Sequence, residues 1–200
     1  MYSFVKEIRD KDVLELAEIL KQKANKIDEG LDGVEDFKMH GQNKRFVKFI
    51  LARITNYIEE QSMVPGNFAT YMSRDIPKPF QVEHIWSDNW DEHKNEFDQK
   101  ADFEKYRDNL GALILLPEGF NQTLGALPYE KKLGSYYGRN LLAKSLSPKC
   151  YKRDPNFLKF VEESGLPFKS HKNFNKIDVD ERQQLYKKIL EKIYDFKVFE

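Results

Sequence analysis

The chain has 200 residues, of which 33% are charged and 40% are hydrophobic, and its formal net charge is zero. This composition is typical of a soluble globular protein, and the zero net charge argues against a protein that coats nucleic acid non-specifically. The single cysteine, Cys150, excludes an intrachain disulfide framework and a cysteine-rich zinc site, and no segment has the length of apolar sequence that a membrane span needs or the apolar core of a signal peptide. We therefore expect a cytoplasmic protein without membrane contact.

The N-terminal part of the chain has the apolar periodicity of helices. Apolar residues at helical spacing predict one helix over 3–28, which the Gly/Asp-rich break Glu29–Gly33 ends. A second helix is predicted over 43–60, and Pro65 and Gly66 stop it.

The middle of the chain carries two strand candidates. Residues 80–85 follow two prolines that keep the chain extended, and residues 110–116 form an apolar run closed by Pro117. The polar segment 88–108 between them predicts a loop and an irregular helix.

Three helices are predicted towards the C-terminus, over 128–137, 154–163 and 179–196. The last one is expected to begin with a capping box formed by Asp178 and Glu181. The whole pattern predicts an α+β protein that is mainly α-helical, with a small two-stranded insert in the middle.

Charge is distributed unevenly along the chain. Acidic residues outnumber basic ones nine to four over 83–108, and basic residues outnumber acidic ones eleven to three over 131–176. An acidic cluster could bind a cation and a basic surface could bind a polyanion, as an enzyme acting on nucleic acid requires. The alternative is that both are solvated faces of a Lys/Glu-rich protein.

The insert carries residues suited to phosphodiester hydrolysis. An imidazole such as that of His84 can deprotonate water near neutral pH, and a hard divalent cation with oxygen ligands can stabilise the phosphoryl charge. Glu83 and His84 are adjacent, and adjacent residues of a regular strand point to opposite faces. Both can therefore face one site only if the strand ends or bulges at this pair.

Four ordered segments of the insert resemble a known family. They are Gln81-Val82-Glu83-His84-Ile85, Asp108-Asn109-Leu110-Gly111-Ala112-Leu113-Ile114-Leu115-Leu116-Pro117, Asn121-Gln122-Thr123-Leu124 and Tyr129-Glu130-Lys131-Lys132. In their order and approximate spacing they resemble the HNH domain at the C-terminal end of GmrSD-type restriction proteins. The helix over 46–57, with Leu51-Ala52-Arg53-Ile54, resembles the helix that precedes the nuclease motif in that family, so that the resemblance extends over 42–200.

The resemblance implies a fold and a division of the chain. It implies a small ββα-metal (HNH, His-Me finger) core over 79–140, surrounded by a helical N-terminal region over 1–78 and a helical C-terminal region over 141–200 that packs on the core. Together they would form one compact unit.

The resemblance also implies roles for individual residues. His84 would be the general base, Glu83 and Asn121 would bind the metal ion, and Asn109 would hold the two strands together around His84. Lys132 would neutralise a phosphate, with Lys131 as the alternative for that role. The residues implied to bind nucleic acid are Lys131 and Arg139.

The implied cofactor is one Mg²⁺ or Mn²⁺ ion per site, because an amide oxygen at the third motif position suits a hard cation better than zinc. Two departures from the family pattern stand at Trp86-Ser87-Asp88, where a Pro-Gln pair is common, and at Ala112, where an asparagine is common. The first puts the contacts of that loop in doubt, and the second removes one polar group.

The implied activity is metal-dependent endonucleolytic cleavage of DNA, in phage defence and on modified phage DNA. An NTP-using regulatory domain or subunit is an implied partner, and three alternatives stay open for the chain: a C-terminal fragment, a separate subunit or a small stand-alone relative. Two alternatives stay open: an inactive nucleic-acid-binding or protein-interaction module that retains the HNH fold, and a helical interaction protein in which 80–140 is only structural. The oligomeric state is open too.

Overall fold

The computed structural model describes residues 2–26, 31–120, 124–125 and 127–195. Its α-helices are, in chain order, α1 Tyr2–Ile8, α2 Val13–Lys26, α3 Lys44–Gln61, α4 Phe68–Met72, α5 Lys100–Arg107, α6 Tyr129–Tyr136, α7 Leu141–Lys144, α8 Cys150–Arg153, α9 Pro155–Ser164 and α10 Lys176–Ile193. Its strands are β1 Phe80–His84 and β2 Leu113–Pro117, and short 3-10 turns occupy Asp32–Val34, Trp90–His93 and Leu110–Ala112.

Helix α3 lies at the centre of the fold, as its apolar spacing predicts. Val47, Leu51, Ile54 and Ile58 recur every three or four residues and are completely buried. This face contacts both strands as well as α4, α7, α9 and α10. The predicted helix over 43–60 is therefore confirmed, and it forms the support on which the sheet and the surrounding helices pack.

The two strands form one antiparallel sheet. Phe80 pairs with Pro117 and His84 pairs with Leu113, so that the register is regular along the whole of β1. The first four residues of β2 are buried, in agreement with the apolar run in the sequence. The predicted strand over 80–85 is confirmed, whereas the one over 110–116 begins later, because residues 110–112 form a 3-10 turn.

The N-terminal prediction of one helix over 3–28 is wrong. The chain forms α1 and α2 with a break between them, in which Asp10 adopts a left-handed conformation with φ 61°. Asp12 then caps α2, since its Oδ1 accepts from the amide of Glu15 at 2.9 Å and the Glu15 carboxylate accepts from the Asp12 amide. The apolar periodicity continues across the break between α1 and α2, so the sequence pattern does not reveal the break.

The predicted start of the last helix is also wrong. Helix α10 begins at Lys176, and its capping box joins Asn175 and Asp178, one helical turn before the predicted pair. Asn175 has extended backbone angles, so that its side chain can accept from the amide of Asp178. Glu181 forms an ion pair with Lys169 instead.

The 3-10 turn before β2 packs unusually closely on α10. A β-carbon on Gly111 would lie 2.4 Å from the carbonyl oxygen of Val179 and 2.6 Å from the amide nitrogen of Gln183. The Gly111 amide donates to the Gln183 side chain, and the Gln183 amide group donates to the carbonyl oxygens of Val34 and Phe37. One buried glutamine therefore joins three distant segments of the chain.

The mainly helical α+β class is thus confirmed. The order of β1, β2 and α6 is the one expected of a ββα unit, but its assignment as a metal-binding ββα core stays a prediction, as does the three-part division of the chain. No helix in the described ranges has the length and apolar character required to cross a membrane.

Replacing Gly111 by alanine tests the close packing of the turn. The added carbon would lie within 2.6 Å of two backbone atoms, which would have to shift, so Gly111→Ala is expected to lower the free energy of unfolding by about 3 kcal/mol. Urea unfolding followed by circular dichroism measures this change.

The matched control is Gly134→Ala in α6, where nothing lies within 4 Å of the added carbon. Alanine is the better helix former, so the control should be neutral or stabilising by up to about 1 kcal/mol. Equal stability of the two variants would contradict the packing described.

Candidate active site

His84 is the last residue of β1, and its side chain lines an open groove on one face of the sheet. Its Nε2 atom lies 2.8 Å from Oδ1 of Asp108, and 19% of the His84 side chain is exposed. Burial lowers the pKa of His84 below its ordinary value, and the charges of Arg107 and Lys132 act in the same direction, whereas Asp108 opposes them. The imidazole is therefore neutral at neutral pH, which is the form that can accept a proton.

Asp108 is held against His84 by an N-terminal segment of the chain. The amide of Met39 donates to the carbonyl oxygen of Asp108 at 2.7 Å, and Lys38 forms an isolated β-bridge with Asn109. The Leu110 amide donates to the carbonyl oxygen of Phe37 at 3.2 Å. The segment over 37–39 thus acts as a third strand-like support that fixes the histidine's partner.

Glu83 points to the opposite face of the sheet, where Lys132 of α6 reaches it. The Lys132 ammonium group donates to Glu83 Oε1 at 2.8 Å and to the carbonyl oxygen of His84 at 2.9 Å. Both side chains are buried, with exposures of 0% for Lys132 and 2% for Glu83. Burial raises the pKa of Glu83 and lowers that of Lys132, and in each case the partner's charge opposes the shift.

The groove beside His84 has a volume of about 990 Å³. Its walls come from residues 39–48, from the segment 72–75 that follows α4, and from β1. Val82 and His84 both face it, as the alternation of side chains along a strand requires. Four cationic side chains line it as well, and they are Lys44, Arg45, Lys48 and Arg74.

The structure brings the predicted residues together in two separate places. His84 meets Asp108 at the groove, whereas Glu83 and Lys132 form a buried pair behind the sheet. The pairing of β1 with β2 is regular through Glu83 and His84. Directly after the strand, the Ile85 amide donates to the carbonyl oxygen of Ala112. The two side chains therefore do not share a face, contrary to what a common site needs.

The other predicted residues occupy varied positions. The Asn109 backbone holds the turn before β2, while its buried Oδ1 atom has no hydrogen-bond partner among the described residues. Lys131 is exposed, so Lys132 is the lysine of this pair that faces inwards. The Arg139 guanidinium group lies 3.4 Å from the ring centroid of Phe120. Asn121, the second predicted metal ligand, lies outside the described residues.

The described arrangement does not fit the predicted metal ion. Its expected carboxylate ligand, Glu83, binds a buried ammonium group and faces away from the groove. In the parts of the chain that the structure describes, no three His, Cys, Asp or Glu side chains come close enough together to hold a metal ion. The roles of Glu83 and Asn121 as ligands therefore stay predictions, and binding would require Glu83 to leave Lys132.

The sequence interpretation missed Asp108 and the groove cations. Asp108 directly precedes the motif residue Asn109, and its pairing with His84 follows from the sheet register, which the sequence does not give. Three of the four groove cations do have a signal in the sequence, because residues 37–58 contain five basic side chains and no acidic one. This run lies far along the chain from the basic segment 131–176, for which the sequence predicts a basic surface.

A neutral histidine that is hydrogen-bonded to a carboxylate, on the wall of an open cationic groove, is chemically able to act as an acid or base towards an anionic substrate. In a comparison with protein families, the model described as "GmrSD restriction endonucleases, C-terminal domain" matches residues 24–189. The chain therefore belongs to this family, in agreement with the resemblance found in the sequence. No curated protein and no solved structure matches the chain.

The buried ion pair gives a testable consequence for stability. Lys132→Met leaves the Glu83 carboxylate buried without its partner, and it is expected to lower the free energy of unfolding by about 3–5 kcal/mol. The double variant Glu83→Leu/Lys132→Met removes both charges and should be clearly more stable than Lys132→Met alone. Urea unfolding of the three proteins measures the coupling.

Lys131→Met is the matched control, because Lys131 is the exposed neighbour on the same helix. Its stability should stay within about 0.5 kcal/mol of the parent. A double variant no more stable than Lys132→Met would show that the two side chains are not coupled.

Proposed function

We propose that this chain is a nuclease domain that hydrolyses phosphodiester bonds of DNA, with His84 as the general base. The observation that carries the proposal is the hydrogen bond between His84 and Asp108 at the wall of the cationic groove. Membership of the restriction-endonuclease family supports DNA as the substrate.

The contact with Asp108 gives His84 the tautomer that a base needs. A carboxylate only accepts hydrogen bonds, so Nε2 carries the ring hydrogen and donates it to Asp108. The lone pair for taking a proton from water is then on Nδ1. Asp108 also stabilises the imidazolium that forms when the proton is transferred, as a carboxylate partner of a catalytic histidine does.

Glu83 and Lys132 support this histidine from behind the sheet. Lys132 donates to the carbonyl oxygen of His84 itself, so the ion pair fixes the backbone from which the imidazole projects. We therefore assign Lys132 a positioning role, because its completely buried ammonium group is not available to a phosphate in this arrangement.

A requirement for one Mg²⁺ or Mn²⁺ ion is part of the proposal and rests on the family resemblance alone. When bound, such an ion would supply charge stabilisation at the phosphoryl group and the leaving oxygen. The HNH class, the action on modified phage DNA, the setting in phage defence and an NTP-using partner rest on the same resemblance.

Loss of the imidazole tests the general base. His84→Ala is expected to reduce nicking of supercoiled plasmid by at least about 100-fold, since a positioned general base contributes about 10²–10⁴-fold. Asp108→Asn removes the charge that orients the ring and should also reduce the rate, but less than His84→Ala.

His40→Ala is the control for both variants, because His40 is exposed and is not among the residues that line the groove. All four proteins are purified in the same way, which separates their activity from contaminating nucleases. Equal nicking by His84→Ala and the parent would refute the proposed base, and absence of nicking by the parent in any divalent metal would favour a binding module.

Removal of divalent metal tests the cofactor separately. Plasmid nicking is expected to stop in EDTA and to return when Mg²⁺ or Mn²⁺ is added in excess, whereas Zn²⁺ should restore it poorly because it prefers nitrogen and sulfur ligands. Full activity in EDTA would show that the reaction needs no divalent ion.

A further inference from the structure

We infer that the cationic groove formed by Lys44, Arg45, Lys48 and Arg74 binds the phosphate backbone of DNA and leads it to His84. The inference rests on the proposed nuclease function and adds the surface that holds the substrate.

The four cations come from the two walls of the groove that flank β1. Lys44, Arg45 and Lys48 lie on the first two turns of α3, and Arg74 lies in the segment after α4. None of the four forms an ion pair with a described residue, and Asp75 is the one carboxylate among the residues that line the groove. The groove therefore carries a surplus of about three positive charges that described acidic side chains do not neutralise.

On other parts of the described surface, lysines and acids are intermingled. Many exposed lysines are paired with a nearby acid, for example Lys100 with Glu104 and Lys159 with Glu163, at helical spacing. If the groove were simply one more solvated Lys/Glu face, its cations would be paired with nearby acids in the same way. The segregation of cations around one concave surface, next to the candidate base, argues against that alternative.

Lys48 and Arg74 lie close enough to affect one another. Burial lowers the pKa of Lys48 below its ordinary value, and the nearby charge of Arg74 lowers it further. Two cations held together without an intervening acid destabilise the free protein slightly, and a phosphate between them would remove this repulsion. The arrangement thus has the charge pattern of an anion site before any ligand binds.

The shape of the groove places a bound strand at the reacting residue. Val82 and His84 form part of the same surface as the cations, with Met39, Met72 and Phe80 as its apolar part. A backbone that lies along this surface would bring its phosphates to the cations and one of them towards His84. Lysine and arginine contacts to phosphates carry no base information, so the groove should bind DNA with little dependence on sequence.

The salt dependence of DNA binding tests the inference. Binding of a short fluorescein-labelled duplex is measured by fluorescence anisotropy at several KCl concentrations, in the cleavage-deficient His84→Ala background. The groove variants are Lys44→Gln/Arg45→Gln/Lys48→Gln and, separately, Arg74→Gln. The matched control is Lys152→Gln/Lys188→Gln/Lys192→Gln, which removes three exposed lysines that do not line the groove.

Each phosphate contact contributes about 0.9 to the slope of log K against log salt for duplex DNA. The triple groove variant is therefore expected to lose about 2.7 from the slope, and Arg74→Gln about 0.9, while the control keeps the parent slope. Arg74 is exposed outside the helices, so its replacement tests the groove even if the triple variant folds poorly. Circular dichroism and thermal melting monitor folding.

The outcomes separate this inference from the proposed function. Groove-dependent binding supports the inference even if the parent never cuts DNA, which would refute only the nuclease. Cutting by the parent together with unchanged salt slopes in both groove variants overturns the inference and leaves the nuclease intact. Equal losses in the groove variants and the control, or no DNA binding at all, also overturn it.

Discussion

The hydrogen bonds of the Gln183 side chain hold together the parts of the molecule from which the candidate site is built. Its carbonyl oxygen accepts from the amide of Gly111, and its amide group donates to Val34 and Phe37. These contacts bury backbone groups that would otherwise be unsatisfied, and they require that residue 111 has no side chain. The turn before β2 and the N-terminal segment 37–39 are thereby fixed against the same helix, α10.

The orientation of His84 at the groove depends on that arrangement. Because the segment 37–39 is fixed, the Met39 amide holds Asp108, and Asp108 in turn orients His84. The same segment leads directly into α3, which carries three of the groove cations. On the other face of the sheet, the Glu83–Lys132 pair supports the same strand end through the carbonyl oxygen of His84. The imidazole thus projects from a backbone held on both sides.

The sequence predicts the framework of this molecule better than its site. Helix α3 and β1 are predicted correctly because apolar spacing and flanking prolines report local structure directly, and the resemblance correctly indicates the restriction-endonuclease family. The helix break near Asp10 was missed because a left-handed residue leaves the apolar period intact. Asp108 was missed as the partner of His84 because 24 positions separate them and only the sheet register brings them together.

The two faces of β1 illustrate the same limit. A motif in the sequence groups Glu83 with His84, whereas the alternation of a regular strand separates them by the thickness of the sheet. Whether Glu83 binds a lysine or a metal ion depends on the competition between those cations, and no linear motif contains that information. Three of the four groove cations, Lys44, Arg45 and Lys48, lie in a run of residues without acids, so the sequence itself carries a signal for the groove.

The contacts of Gln183 also bear on how the protein acquires its structure during synthesis. They join residues 72 and 149 positions apart, so loops of these lengths must close before the contacts form. Helix α10 is made after the other described elements of the fold, and until it docks, neither the turn before β2 nor the segment that holds Asp108 is fixed. We therefore expect a nascent chain to lack the ordered site until synthesis has passed α10, which would keep unfinished copies of the proposed nuclease inactive on the ribosome.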